Sequence, residues 1–525
     1  MKFKSTHKKY ASWRQTVVFF LLFLSLSTWT MSSAVGSSPD EDHILISTWC
    51  GVNNFTTDYT LRRKYRETFE FDGKFVPATE FCAYDPENVK HFVLPTMVAK
   101  PQTCFLEKGQ NESAGCQNDL KTETTSIFFE NAENTRYIQT LRNLVSDDVA
   151  VSVVKMRLLN TLIATILIFA AVTLLKVNKF DIFLSWLGLM PPFGTYLMTS
   201  INTSSWTLIG TTCFTLGVIS ATQNLRYPTT TLRAFLIALF SFWLTSVSRV
   251  DGKYFLFILT LAIVASAIRT QKIGALRIAA VVTIFFALLF AFDKFYGQSG
   301  RRINIFNDPR IENSEGITTT ANNLLVNNII NLPQFITGFF GSWGLGWFEL
   351  ELTSTAWLFT LQAFLLIVGF ALRKSSNFHR LIFSALFTIM CLAILYANQQ
   401  RFAKVGEYIQ PRYFLPFFLG IVIIAAANKT ERYPNSLVIT VAILATISNS
   451  IALRDTIRRY TTGQDVFISK SLNNPIEWWW QFGPQPETVW LTGTLAFAAL
   501  WTLLIYDRNK NEIDTPNSPA PELAN

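Results

Sequence analysis

Long apolar runs separated by short polar loops set the pattern of this chain. The first runs from Thr16 to Val35, and from Met156 onward further runs follow near 156–175, 180–198, 205–221, 232–247, 253–268, 278–293, 355–372, 380–396, 412–427, 435–451 and 488–506. A helix needs roughly 17–25 such residues to cross a bilayer, so the pattern predicts an all-α polytopic membrane protein with about twelve transmembrane helices. Residues 1–35 form a cytoplasmic N-terminus and first span. Residues 36–154 form a polar extracytoplasmic segment, and 155–506 a bundle with outer loops 294–354, 397–411 and 452–487. The remainder, 507–525, ends Pro516-Asn517-Ser518-Pro519-Ala520-Pro521, a composition that predicts a disordered cytoplasmic tail.

Charge orients the bundle. Lys2, Lys4, Lys8, Lys9 and Arg14 precede the first run, and further basic residues fall in alternate loops, at Lys176, Arg226, Arg269, Arg373 and Lys429. The positive-inside bias then makes both termini cytoplasmic and puts every longer loop on the other face. Ser32-Ser33-Ala34 resembles a signal-peptide cleavage site, but the run before it is longer than a usual signal core, which favours its retention. Four of the six cysteines, Cys50, Cys82, Cys104 and Cys116, lie in 36–154, where oxidation is permitted, and this predicts two disulfides of open pairing. Within the same segment, Lys74 to Ala78 and Lys90 to Leu94 alternate like strands, and Thr135 to Val145 reads as a helix.

Composition removes several function classes. Half the residues are hydrophobic and only 15% charged, and the net charge of +9 resides in inter-span loops, leaving no basic face for a nucleic acid. The span centres hold almost no ionisable residues, which weighs against an ion-coupled carrier. No Gly-Lys-Ser/Thr phosphate loop or dinucleotide fingerprint occurs, and the four histidines show no metal-ligand spacing. Any chemistry is therefore expected on the outer face of a membrane.

Five short motifs occur in order: Ser38-Pro39-Asp40-Glu41-Asp42; Met190-Pro191-Pro192 leading to Ser200-Ile201-Asn202-Thr203-Ser204-Ser205-Trp206; Ser248-Arg249-Val250-Asp251; Gly344-Leu345-Gly346-Trp347; and Gln410-Pro411-Arg412-Tyr413. With the hydropathy profile they resemble the bacterial membrane-protein family catalogued as domain of unknown function 2142, in its actinobacterial form. The resemblance covers nearly the whole chain. It implies a GT-C-like fold, that of glycosyltransferases which take sugars from polyprenyl-phosphate donors and use an acid in the first extracytoplasmic loop. The expected partners are thus a lipid-linked sugar donor, a cell-envelope glycan or glycolipid acceptor, and the lipids of a bacterial plasma membrane. Two positions depart from the family pattern: His43 comes early, with Ile44 nearer the usual histidine place, and Glu349 stands where relatives tend to have Asp.

The residues support such chemistry in their own right. Transfer to a hydroxyl needs a base for its proton, and Asp40 is the candidate. Glu41 or Asp42 would hold the acceptor or help bind a divalent cation, the one cofactor considered. A solvated acidic turn capping the next helix is the plain alternative. The departing phosphate needs a cation, and Arg412 is suited to it by its planar fork. His43, Arg249, Asp251, Trp347, Glu349, Arg401, Gln410 and Tyr413 complete the candidate binding set, although an interfacial Arg often only snorkels to lipid phosphates. Phe335 to Phe348, rich in Gly and aromatic residues, reads either as a re-entrant segment lining a donor groove or as an aromatic-belt helix. Trp478-Trp479-Trp480 reads either as a sugar-stacking platform or as an interfacial belt. A transporter of lipid-linked saccharides and a non-catalytic envelope scaffold stay open beside the enzyme.

Overall fold

A computed structural model of the chain describes residues 2–50, 136–146, 148–175, 179–225, 227–270, 321–463 and most of 471–513, with short strand segments between 83 and 125. Fifteen α-helices occur among these residues. They are α1 (Lys2–Thr30), α2 (Glu41–Cys50), α3 (Arg136–Arg142), α4 (Val149–Leu174), α5 (Lys179–Leu189), α6 (Pro192–Thr199), α7 (Thr203–Gln223) and α8 (Pro228–Ser248), followed by α9 (Gly252–Thr270), α10 (Ala321–Gly338), α11 (Ser354–Arg373), α12 (Asn377–Gln400), α13 (Leu415–Ala427), α14 (Asn435–Thr461) and α15 (Pro486–Ile513). A small antiparallel sheet, β1 (Ala83–Tyr84), β2 (Phe92–Pro95) and β3 (Thr122–Thr125), pairs in that order, so the chain is helical but not purely so.

Among the described residues, seven helices are long and apolar enough to cross a membrane: α4, α8, α9, α11, α12, α14 and α15. Their outward residues are large and apolar at helical spacing, as in Leu232, Leu236 and Phe240 or Ile439 and Ile443. A helix that turns its apolar face outward over its whole length is solvated by lipid rather than by water. The protein is a polytopic membrane protein.

Three expected spans take a different form. The run 180–198 breaks into α5 and α6, because Pro191 and Pro192 cannot continue the first helix and instead open the second. The run 412–427 becomes a 3₁₀ turn, Pro411–Tyr413, and the 13-residue α13. At 1.5 Å per residue such a helix reaches only about 20 Å, too short for a bilayer of about 30 Å. Its residues from Leu415 to Ala426 are all buried, so it is a core helix that hydropathy alone cannot tell from a span. The run 205–221 is α7, buried from Thr203 to Ser220 at the centre of the bundle.

Close approach around α7 rests on small residues. A Cβ added to Gly217 would come within 2.9 Å of the Ala234 carbonyl of α8, and one added to Gly210 within 2.8 Å of the Ser241 carbonyl. Membrane helices gain little from apolar burial against one another, so such backbone contact is how α7 and α8 hold together. The α7 hydroxyls are retained without penalty by bonding back to their own helix, Thr212 to the Leu208 carbonyl and Thr215 to the Thr211 carbonyl.

Of the remaining expectations, the strand near 90–94 and the helix near 135–145 appear as β2 and α3. Helix α14 runs ten residues past the expected span end, and α15 continues through Asp507 to Ile513, so the chain is still helical where the polar tail was expected to begin. The run 278–293, Cys82, Cys104, Cys116 and residues 514–525 lie outside the described residues, and of Cys50 only its place at the end of α2 is given. No disulfide occurs among the described residues, whose cysteines Cys213 and Cys391 are free.

Candidate functional site

The segment between α1 and α2 is held by a residue that motif reading passed over. Arg157, from the first third of α4, is buried and spends every guanidinium nitrogen on this segment. Its Nη1 donates to the carbonyls of Thr30 (3.1 Å) and Ser33 (2.7 Å), and its Nη2 to that of Ala34 (2.7 Å). Nε and Nη2 also reach the Glu41 carboxylate, at 3.2 and 3.0 Å. A charge this deep in an apolar helix is tolerated only when paired and fully hydrogen-bonded. Its signal in the sequence is a lone Arg inside a run that otherwise qualifies as a span.

Glu41 is consequently not free to act on a substrate. It is 0% exposed, paired with Arg157, and its Oε2 also accepts the Ser38 amide at 2.9 Å. Asp42 is buried in the first turn of α2. Its neighbour His43 occupies the same turn, with a side chain outside the described residues.

Asp40 differs from both. It is the N-cap of α2, with its carbonyl accepting the Ile44 amide, and it adopts a left-handed backbone conformation at φ 64°. Asp tolerates that region better than most residues, yet a non-glycine residue there still costs roughly 1–3 kcal/mol. The strain is sustained by the neighbours. Asn202, the N-cap of α7, grips the Pro39 carbonyl, and the Ser38 hydroxyl donates to Ser200 at 2.9 Å. Asn160 of α4 in turn holds the Ser200 carbonyl at 2.8 Å and receives the Trp206 indole at 2.9 Å. The Asp40 side chain stays 22% exposed, and its Oδ1 accepts from Arg412 Nη2 at 3.0 Å.

The other motifs converge on this pair. Arg412 lies in the 3₁₀ turn Pro411–Tyr413, capped by Gln410 and brought in by Gly338, where a Cβ would collide with the Pro411 ring. Both Arg412 and Arg249 stack on the ring of Tyr413, at 4.8 and 4.6 Å, and Arg412 also donates to the Tyr413 hydroxyl at 3.0 Å. Arg249, just past the end of α8, is closed off by Asp251 through both carboxylate oxygens and by the Ser204 hydroxyl at 3.2 Å. The fourth motif arrives through Trp347, whose indole donates to the Gly36 carbonyl at 3.0 Å. Arg401 is the C-cap of α12.

Two aromatic features are absorbed into packing. Beyond Gly338 the chain makes tight turns with positive φ at Gly341, Gly344, Gly346 and Phe348, closed by Leu345 bonding Leu350. Phe339, Phe340 and Leu345 are buried, and Phe339 stacks on Phe418 of α13. This is a folded aromatic knot rather than a continuous belt helix. Trp478 and Trp480 are buried, and Trp480 donates to the Met31 carbonyl at 2.8 Å, so these rings brace the end of α1. The knot ends at Glu349, whose carboxylate folds back over Gly346 and accepts the Tyr460 hydroxyl at 2.7 Å. Burial pushes the Glu349 carboxyl up to about 7 against the opposing pull of Tyr460 and Arg459.

A divalent cation does not suit this donor set. Glu41 is spent on Arg157, Asp42 is buried, and the reachable carboxylate, Asp40, faces a guanidinium. No group of three or more His, Cys, Asp or Glu side chains able to hold a metal ion occurs among the described residues. What the arrangement offers is one accessible carboxylate beside one deeply seated cation, fixed on a strained and heavily bonded backbone.

No curated protein and no solved structure is significantly similar to this chain. A family model does match, over residues 22–421, and it spans all five motifs that meet around Asp40. On that match the chain belongs to the family described as predicted membrane protein DUF2142.

Proposed function

We propose that the protein is a GT-C-type glycosyltransferase that works at the outer face of a bacterial plasma membrane, moving a sugar from a polyprenyl-phosphate donor to a hydroxyl of a cell-envelope glycan or glycolipid. The observation that carries this reading is the pairing of Asp40, the reachable acid of its cluster, with the buried Arg412 at 3.0 Å. In the reaction the acceptor oxygen bonds to the anomeric carbon while the bond from that carbon to the phosphate oxygen breaks. Asp40 takes the acceptor proton, and the electron pair leaves with the phosphate, whose charge Arg412 neutralises. Arg249 and Tyr413 hold Arg412 in place from the side.

The test is transfer from a radiolabelled polyprenyl-phosphate sugar to envelope acceptors by the purified protein in liposomes. Asp40→Asn keeps the size of the side chain and the tolerance for a left-handed backbone while removing the base, and loss of a general base typically costs about 10²–10⁴-fold. Transfer should fall by that factor, with unfolding temperature and monodispersity unchanged. A transporter of lipid-linked saccharides or a scaffold would be indifferent to the change, and wild-type rates in Asp40→Asn would overturn the enzyme.

A further inference from the structure

Three buried arginines surround the Asp40 segment, and they differ in how their donors are spent. Arg157 uses all three nitrogens on backbone carbonyls and Glu41. Arg249 likewise uses all three, on Asp251 and Ser204. Arg412 uses only Nη2, which serves Asp40 and the Tyr413 hydroxyl together. Its Nε and Nη1 are buried, and no atom among the described residues accepts from them. The Arg412 side chain is 2% exposed, so these donors are withdrawn from bulk solvent as well.

A guanidinium with idle buried donors is an incomplete anion site. We infer that Arg412 is the seat of a phosphate headgroup, and that the Asp40–Arg412 ion pair is the resting arrangement which the phosphate replaces. The inference rests on the reading of Asp40 as the base, and it adds an order of events. A tetrahedral phosphate reaches Nε and one Nη nitrogen side by side, the fork geometry for which Arg is suited. Its negative charge then stands where the carboxylate had been the counter-charge among the described residues, and like charges disfavour one another at that distance. Asp40 turns away, its exposed side already facing outward, while Asn202 and Ser38 keep its backbone fixed. The oxygen that accepted from Arg412 becomes available to an acceptor hydroxyl only after the donor is bound. Without the donor that oxygen is held by Arg412, so it is the substrate that releases it for the reaction.

Binding measurements separate this exchange from the transferase reading. The probes are a polyprenyl monophosphate in detergent micelles, the matching polyprenol without phosphate, and inorganic phosphate. Asp40→Asn removes the competing charge and should tighten polyprenyl phosphate by roughly ten-fold, which corresponds to about 1.4 kcal/mol. Arg412→Gln should abolish the binding, and polyprenol should be insensitive to both changes. Unchanged or weaker binding of polyprenyl phosphate in Asp40→Asn overturns the exchange, even where transfer is lost. Equal tightening toward inorganic phosphate overturns the assignment to a lipid headgroup. In the wild-type protein, which avoids any folding defect, carbodiimide labelling of Asp40 followed by mass spectrometry should rise several-fold on adding polyprenyl phosphate and not on adding polyprenol. Labelling that stays flat or falls counts against the exchange.

Discussion

At the scale of single residues, the site depends on a division of labour between adjacent acids. Glu41 and Asp40 are neighbours in sequence, yet one is sealed against Arg157 and the other faces outward. Removing one partner of a buried pair strands the other charge and typically costs about 3–5 kcal/mol. Arg157→Met should therefore lower the unfolding temperature sharply in detergent, and adding Glu41→Leu should restore part of the loss, a coupling that a double-mutant cycle reads directly. Glu349 makes a second prediction. Burial pushes its carboxyl up from the ordinary value of 4.5 to about 7, with Tyr460, Arg459 and Tyr196 facing it. A raised value means that the folded state favours the protonated acid. That stabilisation is fully present below 4.5 and is lost as pH rises through about 7. The unfolding temperature should fall over that interval, and Glu349→Gln should flatten the fall.

Helices and turns show how far sequence reading reaches. Hydropathy located the spans of α8, α9, α11 and α12 within a few residues, because lipid-facing helices must be apolar over their whole length. It did not distinguish α13 from a span, since a helix buried on every side carries the same composition. The motif around Asp40 and the one around Arg412 were both legible, and they meet at 3.0 Å although 372 positions separate them. Arg157, Asn160 and Asn202 were not read as site residues, because nothing local marks an Arg or Asn as facing a distant loop rather than a headgroup. Close helix crossing is likewise silent in hydropathy but testable by bulk. Gly217→Leu would drive a side chain into the Ala234 carbonyl and Ala238, and should prise α7 from α8. Since Ser204 of α7 holds Arg249, the variant should weaken transfer as well as lower stability, whereas Gly369→Ala, where a Cβ meets nothing within 4 Å, should change neither.

Taken as a whole molecule, the bundle carries a buried ionic cluster at each end, and the two differ in a way that bears on function. Around Asp40 one cation keeps idle donors and one carboxylate keeps exposure. At the other end of α13, Lys429 bonds Asp181 at 2.6 Å, Arg508 approaches the same carboxylate at 3.8 Å, and the Tyr433 amide donates to it at 3.3 Å. The side chains of Asp181 and Lys429 are each 1% exposed, so this cluster is shut. It joins α5, the turn after α13, and α15, and so ties the late helices to the early ones. Two cations share one acid there, and burial already draws the Lys429 ammonium below its ordinary range despite Asp181. Asp181→Asn would take from the buried Lys429 the carboxylate it bonds, a loss on the order of 3–5 kcal/mol. The expected outcome is a large drop in unfolding temperature with an unchanged transfer rate per folded molecule, measured at a temperature where the variant is still native. A matching drop in rate at that temperature would mean that the two ends are coupled, and that the shut cluster also sets the geometry at Asp40.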